Sequence, residues 1–143
     1  MTAMPRAILL DTHAAIWLVD GTLAKPAVAQ VIAAGLADGV YVSPVSAWEV
    51  GLLSKPRADG KQIQFLPDPT TWFSTLMGKS IIKPASLTNE IAIASSSLPG
   101  QLHADPADRF LVATSRAMNI PLMTRDSKIL AYAKSGFVQI IQC

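Results

Sequence analysis

The stretch Ala7-Ile8-Leu9-Leu10-Asp11-Thr12-His13 decides the fold. Its four apolar residues read as a short strand and Thr12 to Val19 as the helix that follows, so an aspartate stands at the joint. Inside an apolar strand an unpaired carboxylate would be costly to bury. Directly after the strand it reaches the edge where open parallel sheets bind ligands, beyond the carboxyl ends of their strands. Working outward, the same alternation recurs. Pro26 to Ala37 reads as a helix with proline at its first position, and Val40-Tyr41-Val42 as a strand. Ser43-Pro44, a cap followed by proline, opens a helix through Lys55. Lys55 to Pro67 carries prolines, a glycine and charges and reads as an exposed loop. Asp68-Pro69 repeats the cap signature and begins a helix with Trp72, Phe73 and Leu76 on one face. Ser80 to Lys83 is predicted as a strand, Thr88 to Ser96 as a helix and Leu98 to Ala104 as a loop. Asp105-Pro106 starts the helix Ala107 to Met118; Ile120 to Met123 is a strand, Ser127 to Ala133 a helix and Phe137 to Ile141 a closing strand. Short apolar runs alternating with helices predict one α/β domain over residues 1–143, built on a parallel sheet.

Composition agrees. At 143 residues the chain is long enough to bury a core, and with 50% hydrophobic and 15% charged residues it is not a disordered one. No run reaches the roughly 18 apolar residues of a membrane span. The apolar stretch before Asp11 is too short for a signal peptide. Cys143 is the only cysteine, which excludes an internal disulfide or a thiolate metal site and suits a reducing, cytoplasmic location. The net charge of +2 conceals an asymmetry. If four of the ten acids share one site, twelve Lys and Arg face the six that remain. A cationic rim around an acidic centre suits a polyanionic substrate, although a mildly basic, solubilising surface would give the same count.

A second aspartate, Asp126, follows Leu122-Met123-Thr124. Glu49 lies about one and a half turns into the helix after the second strand, and Asp105 and Asp108 open the helix before the Ile120 strand. A parallel sheet lets all of these converge on one edge. Crowded carboxylates either take up protons or bind a divalent cation. Oxygen donors with little histidine favour Mg²⁺ or Mn²⁺ over zinc, and the chemistry that follows is metal-assisted phosphodiester hydrolysis. Each acid also has a structural reading. Asp105 before Pro106 reads first as a helix cap; Asp108 reads equally as a site residue and as the third residue of a capping box. Asp126 could cap the Ser127 helix, and Glu49 could be a solvated helix residue among apolar neighbours. Asp11 has no obvious structural partner.

These segments resemble a known family. Leu9-Leu10-Asp11-Thr12-His13 is similar to the opening motif of PIN domains, and Ser43-Pro44-Val45-Ser46-Ala47-Trp48-Glu49-Val50 to the segment bearing their glutamate. His103-Ala104-Asp105-Pro106-Ala107-Asp108-Arg109 resembles their third motif and Pro121-Leu122-Met123-Thr124-Arg125-Asp126 their last. The compact length and the His-x-Asp-Pro-x-Asp-Arg form resemble the VapC-type toxins. The resemblance implies a three-layer α/β/α fold with a central parallel sheet, Mg²⁺ or Mn²⁺ as cofactor, and endoribonuclease activity. It further implies an RNA substrate, a cognate antitoxin partner and a homodimer, with no membrane association. By motif match Asp11, Glu49, Asp108 and Asp126 are the catalytic quartet, with Asp11, Asp108 and Asp126 as metal ligands. Asp105 belongs to the motif as ligand or cap. Ser46 and Thr124 occupy hydroxyl positions near the metal and would bind water or phosphate, or bond the backbone of a turn. Arg109 is expected to pair with an acid inside the fold. His13 and His103 are expected to be structural or supporting, and Trp17, Trp48 and Trp72 to pack in the core or an interface rather than stack on RNA. Trp17, Trp72 and Phe73 would form the partner-binding helix faces. Two other readings compete. A phosphatase with a nucleophilic aspartate is disfavoured because Asp11-Thr12-His13 breaks the Asp-x-Asp pattern, and a non-catalytic RNA- or protein-binding module would be expected to have lost part of the quartet.

Overall fold

The computed structural model describes residues 4–143. Five strands, β1 (Ala7–Leu10), β2 (Gly39–Val42), β3 (Ile82–Pro84), β4 (Leu122–Thr124) and β5 (Ile140–Gln142), form one sheet in the order β3-β2-β1-β4-β5. Every pairing is parallel. Helices α1 (Thr12–Asp20) and α2 (Lys25–Leu36) link β1 to β2, and α3 (Pro44–Leu53) and α4 (Pro69–Met77) link β2 to β3. The chain then crosses through α5 (Asn89–Ser95) and α6 (Pro106–Met118) to β4 on the far side of β1, and α7 (Ser127–Ala133) leads to β5. Strand order therefore reverses between β1 and β4, the place where an open parallel sheet leaves a crevice at its carboxyl edge.

The side-chain period of two divides the sheet between two cores. Ile8 and Leu10 of β1, with Val40 and Val42 of β2, bury themselves under α1, α2 and α4. Leu9 points the other way and joins Leu122, Leu111, Val112 and Ile129 beneath α6 and α7. The result is the three-layer α/β/α sandwich expected from sequence. Among the described residues no single helix is long and apolar enough to cross a membrane.

Three strands begin later than their apolar runs. A turn closed by the Ile82 amide on the Lys79 carbonyl (3.0 Å) holds Ser80 and Ile81 out of β3. The α6 helix ends at Asn119 in the left-handed conformation (φ 54°), and the Ile120 amide is still bonded to Ser115, so β4 starts at Leu122. Phe137 and Val138 pack on the second core before β5 takes up pairing at Ile140. Pro84 sits on the edge strand β3, where a missing ladder donor is tolerated. The loop 55–67 is exposed over most of its length, as expected, but not throughout. Phe65 is buried against Ile16 and Val50, with its ring edge-on to Trp72 at 4.9 Å.

Candidate active site

Asp11, Glu49, Asp108 and Asp126 all line one open cleft of about 340 Å³, together with Asp105, Thr12, His13, Trp17, Leu111 and Arg125. Three of its acids are helix caps. Asp11, buried at the end of β1, takes the Ala14 amide at 2.7 Å and so starts α1. It therefore has the structural partner that the sequence did not suggest. Asp126 takes the amides of Lys128 and Ile129 at 2.9 and 3.0 Å and starts α7. Asp105 takes the Asp108 amide at 3.3 Å and starts α6. Each cap directs a helix N-terminus, with its partial positive charge, toward the cleft.

The remaining two acids are held by side chains. Glu49, within α3, is bonded to the Thr12 hydroxyl, and Thr12 lies 3.0 Å from the Ser46 hydroxyl. Thr12 has a single proton and an ionised carboxylate can only accept, so Thr12 donates to Glu49 and receives from Ser46. The Ser46 hydroxyl is thus bonded to a side chain and not to the backbone of a turn; it orients Glu49 through Thr12, a residue the sequence did not single out. Asp108 does not close a capping box. Its Oδ2 lies 2.7 Å from His103 Nε2, while the buried His103 Nδ1 has no hydrogen-bond partner among the described residues. Thr124, fully buried, accepts the Asp126 amide at 3.0 Å, and its hydroxyl, close to Asp11, favours the charged form of that acid. Arg109 pairs with no acid. It donates to the carbonyls of Ser95 and Leu102 at 2.9 Å and of His103 at 3.4 Å, because a loop and a helix end there leave acceptors that only a long donor can reach.

Burial pushes three of these carboxyls above their ordinary range. For Asp11 desolvation outweighs the nearby Thr124 hydroxyl and the bond from the Ala14 amide. For Glu49 it outweighs the Thr12 bond and is reinforced by Asp108, Asp105 and Asp11. Asp108 is raised by burial against the His103 bond, with Asp105 and Asp126 adding repulsion. Burial together with mutual repulsion is the condition that a cation relieves, and oxygen donors in this number fit a hard divalent ion. Among the described residues only His103, Asp105 and Asp108 bring three ligand atoms within 4.8 Å of one another. The remaining acids, Asp11, Glu49 and Asp126, face the same cleft.

The tryptophans divide. Trp72 packs inside on Phe65. Trp17 packs partly on the first core but also lines the cleft, with the Arg125 guanidinium 3.6 Å from its ring centroid. Trp48 is 53% exposed. It borders a second, apolar hollow of about 400 Å³ with Pro44, Val45, Leu87, Pro106 and Phe110, drawn mainly from the two helices that carry Glu49 and Asp108. Trp72 and Phe73 are therefore turned inward, and the exposed aromatic surface belongs to α3.

A doubly wound parallel sheet with an acid-lined cleft at its switch point defines the class of protein. The PIN domain family model matches residues 8–135, and the chain belongs to that family. A search of curated proteins finds no match. Among solved structures the chain is similar to the VapBC2 complex of Rickettsia felis bound to a promoter DNA fragment, at 9% identity and a TM-score of 0.67, covering 95% of this chain and 98% of that one. It is also similar to a toxin–antitoxin complex from Klebsiella pneumoniae (20% identity, TM-score 0.57, 94% and 95% coverage). A third is VapBC-5 of Mycobacterium tuberculosis (18% identity, TM-score 0.57, 97% and 100% coverage). At these identities the likeness establishes the fold.

Proposed function

We propose that this protein is a metal-dependent endoribonuclease and the toxin of a VapC-type toxin–antitoxin pair, acting in the cytoplasm. The observation that carries the reading is the convergence of Asp11, Glu49, Asp108 and Asp126 on one cleft at the carboxyl edge of the sheet. Membership of the PIN family and the likeness to toxins seen with their antitoxins support it. Asp11, Asp108 and Asp126 would hold Mg²⁺ or Mn²⁺, directly or through its waters. Bound there, the ion would polarise a phosphoryl oxygen and lower the pKa of an attacking water. Glu49, held by the Ser46–Thr12 relay, would serve as the general base, and burial raises its proton affinity toward the task. The partners are RNA as substrate, an antitoxin, and a second copy of the chain.

RNA hydrolysis is measured with Mg²⁺, with Mn²⁺ and with chelator, on the native chain and on Asp11→Asn and Asp108→Asn. Cleavage is expected only with metal and only in the native chain. Activity indifferent to chelator and to both substitutions would overturn the nuclease reading. Normal cleavage by Asp108→Asn with loss in Asp105→Asn would move the ligand to Asp105, beside His103.

A further inference from the structure

Arg125 is the only lysine or arginine lining the acidic cleft among the described residues. It stands between Thr124, which accepts the Asp126 amide, and Asp126, which caps α7. Despite that company it has no carboxylate within 4.0 Å among the described residues. Its guanidinium instead lies over the face of Trp17, at 3.6 Å from the ring centroid, and His13 tilts against the same indole at 5.6 Å. Among the described residues its guanidinium makes no hydrogen bond, and the Cys143 thiol near it is only a weak acceptor. Stacking uses the guanidinium's face and leaves its edge, a fork of N–H donors shaped for a phosphate, without a strong acceptor. Trp17 is occupied on its stacked face, so it serves as a pedestal for the cation rather than a platform for a base. The other arginine near the cleft, Arg109, is committed to backbone carbonyls.

We infer that Arg125, braced by Trp17, is a substrate-positioning residue that binds a backbone phosphate of single-stranded RNA flanking the one cleaved. The inference rests on the ribonuclease reading. Five carboxylates repel a polyanion, and a metal ion would neutralise them only where the scissile phosphate sits. The neighbouring phosphate needs a cation of its own, fixed in place and not quenched by an acid. Stacking on Trp17 supplies both conditions, because it holds the guanidinium away from Asp126 without covering its donors.

Steady-state hydrolysis of a short single-stranded RNA in Mg²⁺ tests the assignment, with KM and kcat separated and measured over a range of salt. Arg125→Ala should raise KM on the order of tenfold, as loss of one charge-assisted hydrogen bond does, while kcat and thermal midpoint stay close to native. The slope of log(kcat/KM) against log salt should flatten by about 0.7, one phosphate contact on a single strand. Arg125→Lys should restore the slope but not KM, since an ammonium carries the charge without the planar stack. Trp17→Phe should raise KM less than Arg125→Ala, and in the double variant it should add nothing further. Unchanged KM and salt slope in Arg125→Ala, with the native chain active, would overturn the inference and leave the nuclease reading standing. A drop in kcat with a lowered thermal midpoint would overturn it too, in favour of a structural stack. A native chain that cleaves no RNA with either metal would remove the reading on which the inference rests.

Discussion

At the scale of single residues, the acids of the cleft separate into those that start a helix and those that do not. Asp11 both caps α1 and faces the cleft. Asparagine caps as well as aspartate and removes a buried charge, so Asp11→Asn should keep or raise the thermal midpoint in chelator. Activity should fall by about 10²–10³, the usual loss when one preorganised electrostatic group is removed. Asp105→Ala, whose cap bond is already long at 3.3 Å, should cost toward the lower end of ~0.5–2 kcal/mol in a denaturant titration. Proton linkage gives a second expectation. Asp11, Glu49 and Asp108 hold their protons above the ordinary values of 3.8 and 4.5, so the folded chain binds more protons than the unfolded one over that interval. Without metal, the contribution of these three to stability is therefore greatest at acid pH and declines as pH rises from about 4 through their raised pKa values. Melting curves in chelator across pH, native minus Asp11→Asn, should show that decline. At neutral pH, Mg²⁺ at a hundred times its Kd should restore about 2.7 kcal/mol.

At the scale of elements, the loop 55–67 is a strut rather than a tether. Phe65 seals α3 and α4 over Ile16, and Phe65→Ala should cost about 3–5 kcal/mol in a denaturant titration, although its own segment is neither helix nor strand. A loss under 1 kcal/mol would mean the loop packs only loosely. Gly35 of α2 is the opposite case. A Cβ there would meet Ile81 Cβ at 2.8 Å, so Gly35→Ala should destabilise even though alanine gains about 1 kcal/mol in helix propensity. Neither contact was legible in the sequence, because both depend on where distant segments are laid against the sheet. The elements themselves were legible, since caps and prolines at Ser43-Pro44, Asp68-Pro69 and Asp105-Pro106 mark helix starts by local chemistry alone. So was the shared edge of the acids, which follows from strand ends and a parallel sheet. The relay from Ser46 through Thr12 to Glu49 was not, because hydroxyl pairings 34 and 37 residues apart leave no periodic trace. Arg109 was misjudged for the same reason: its acceptors are main-chain carbonyls, which look alike in every sequence.

At the scale of the whole molecule, the exposed apolar residues include one patch with a hollow beside it. Trp48 and Leu52 project from α3 beside a hollow lined by Pro44, Leu87 and Phe110. A two-fold interface must offer knob and hole on the same patch, and this face offers both, so the proposed homodimer is expected to form here. Trp48→Glu should shift light scattering from dimer to monomer while leaving the melting midpoint at low concentration within about 0.5 kcal/mol of native. A native chain that is already monomeric at high concentration would contradict it.

The double duty of Asp11 and Asp126 also leaves a mark on how such a chain could decay. A descendant freed from selection for chemistry would still need to start α1 and α7. Positions 11 and 126 would then drift within Asp, Asn, Ser and Thr, whereas Glu49 and Asp108, which start no helix, would wander widely. In a lineage of relatives, an intact pair at 11 and 126 beside scrambled 49 and 108 would be the fossil of a lost enzyme, not the signature of a working one.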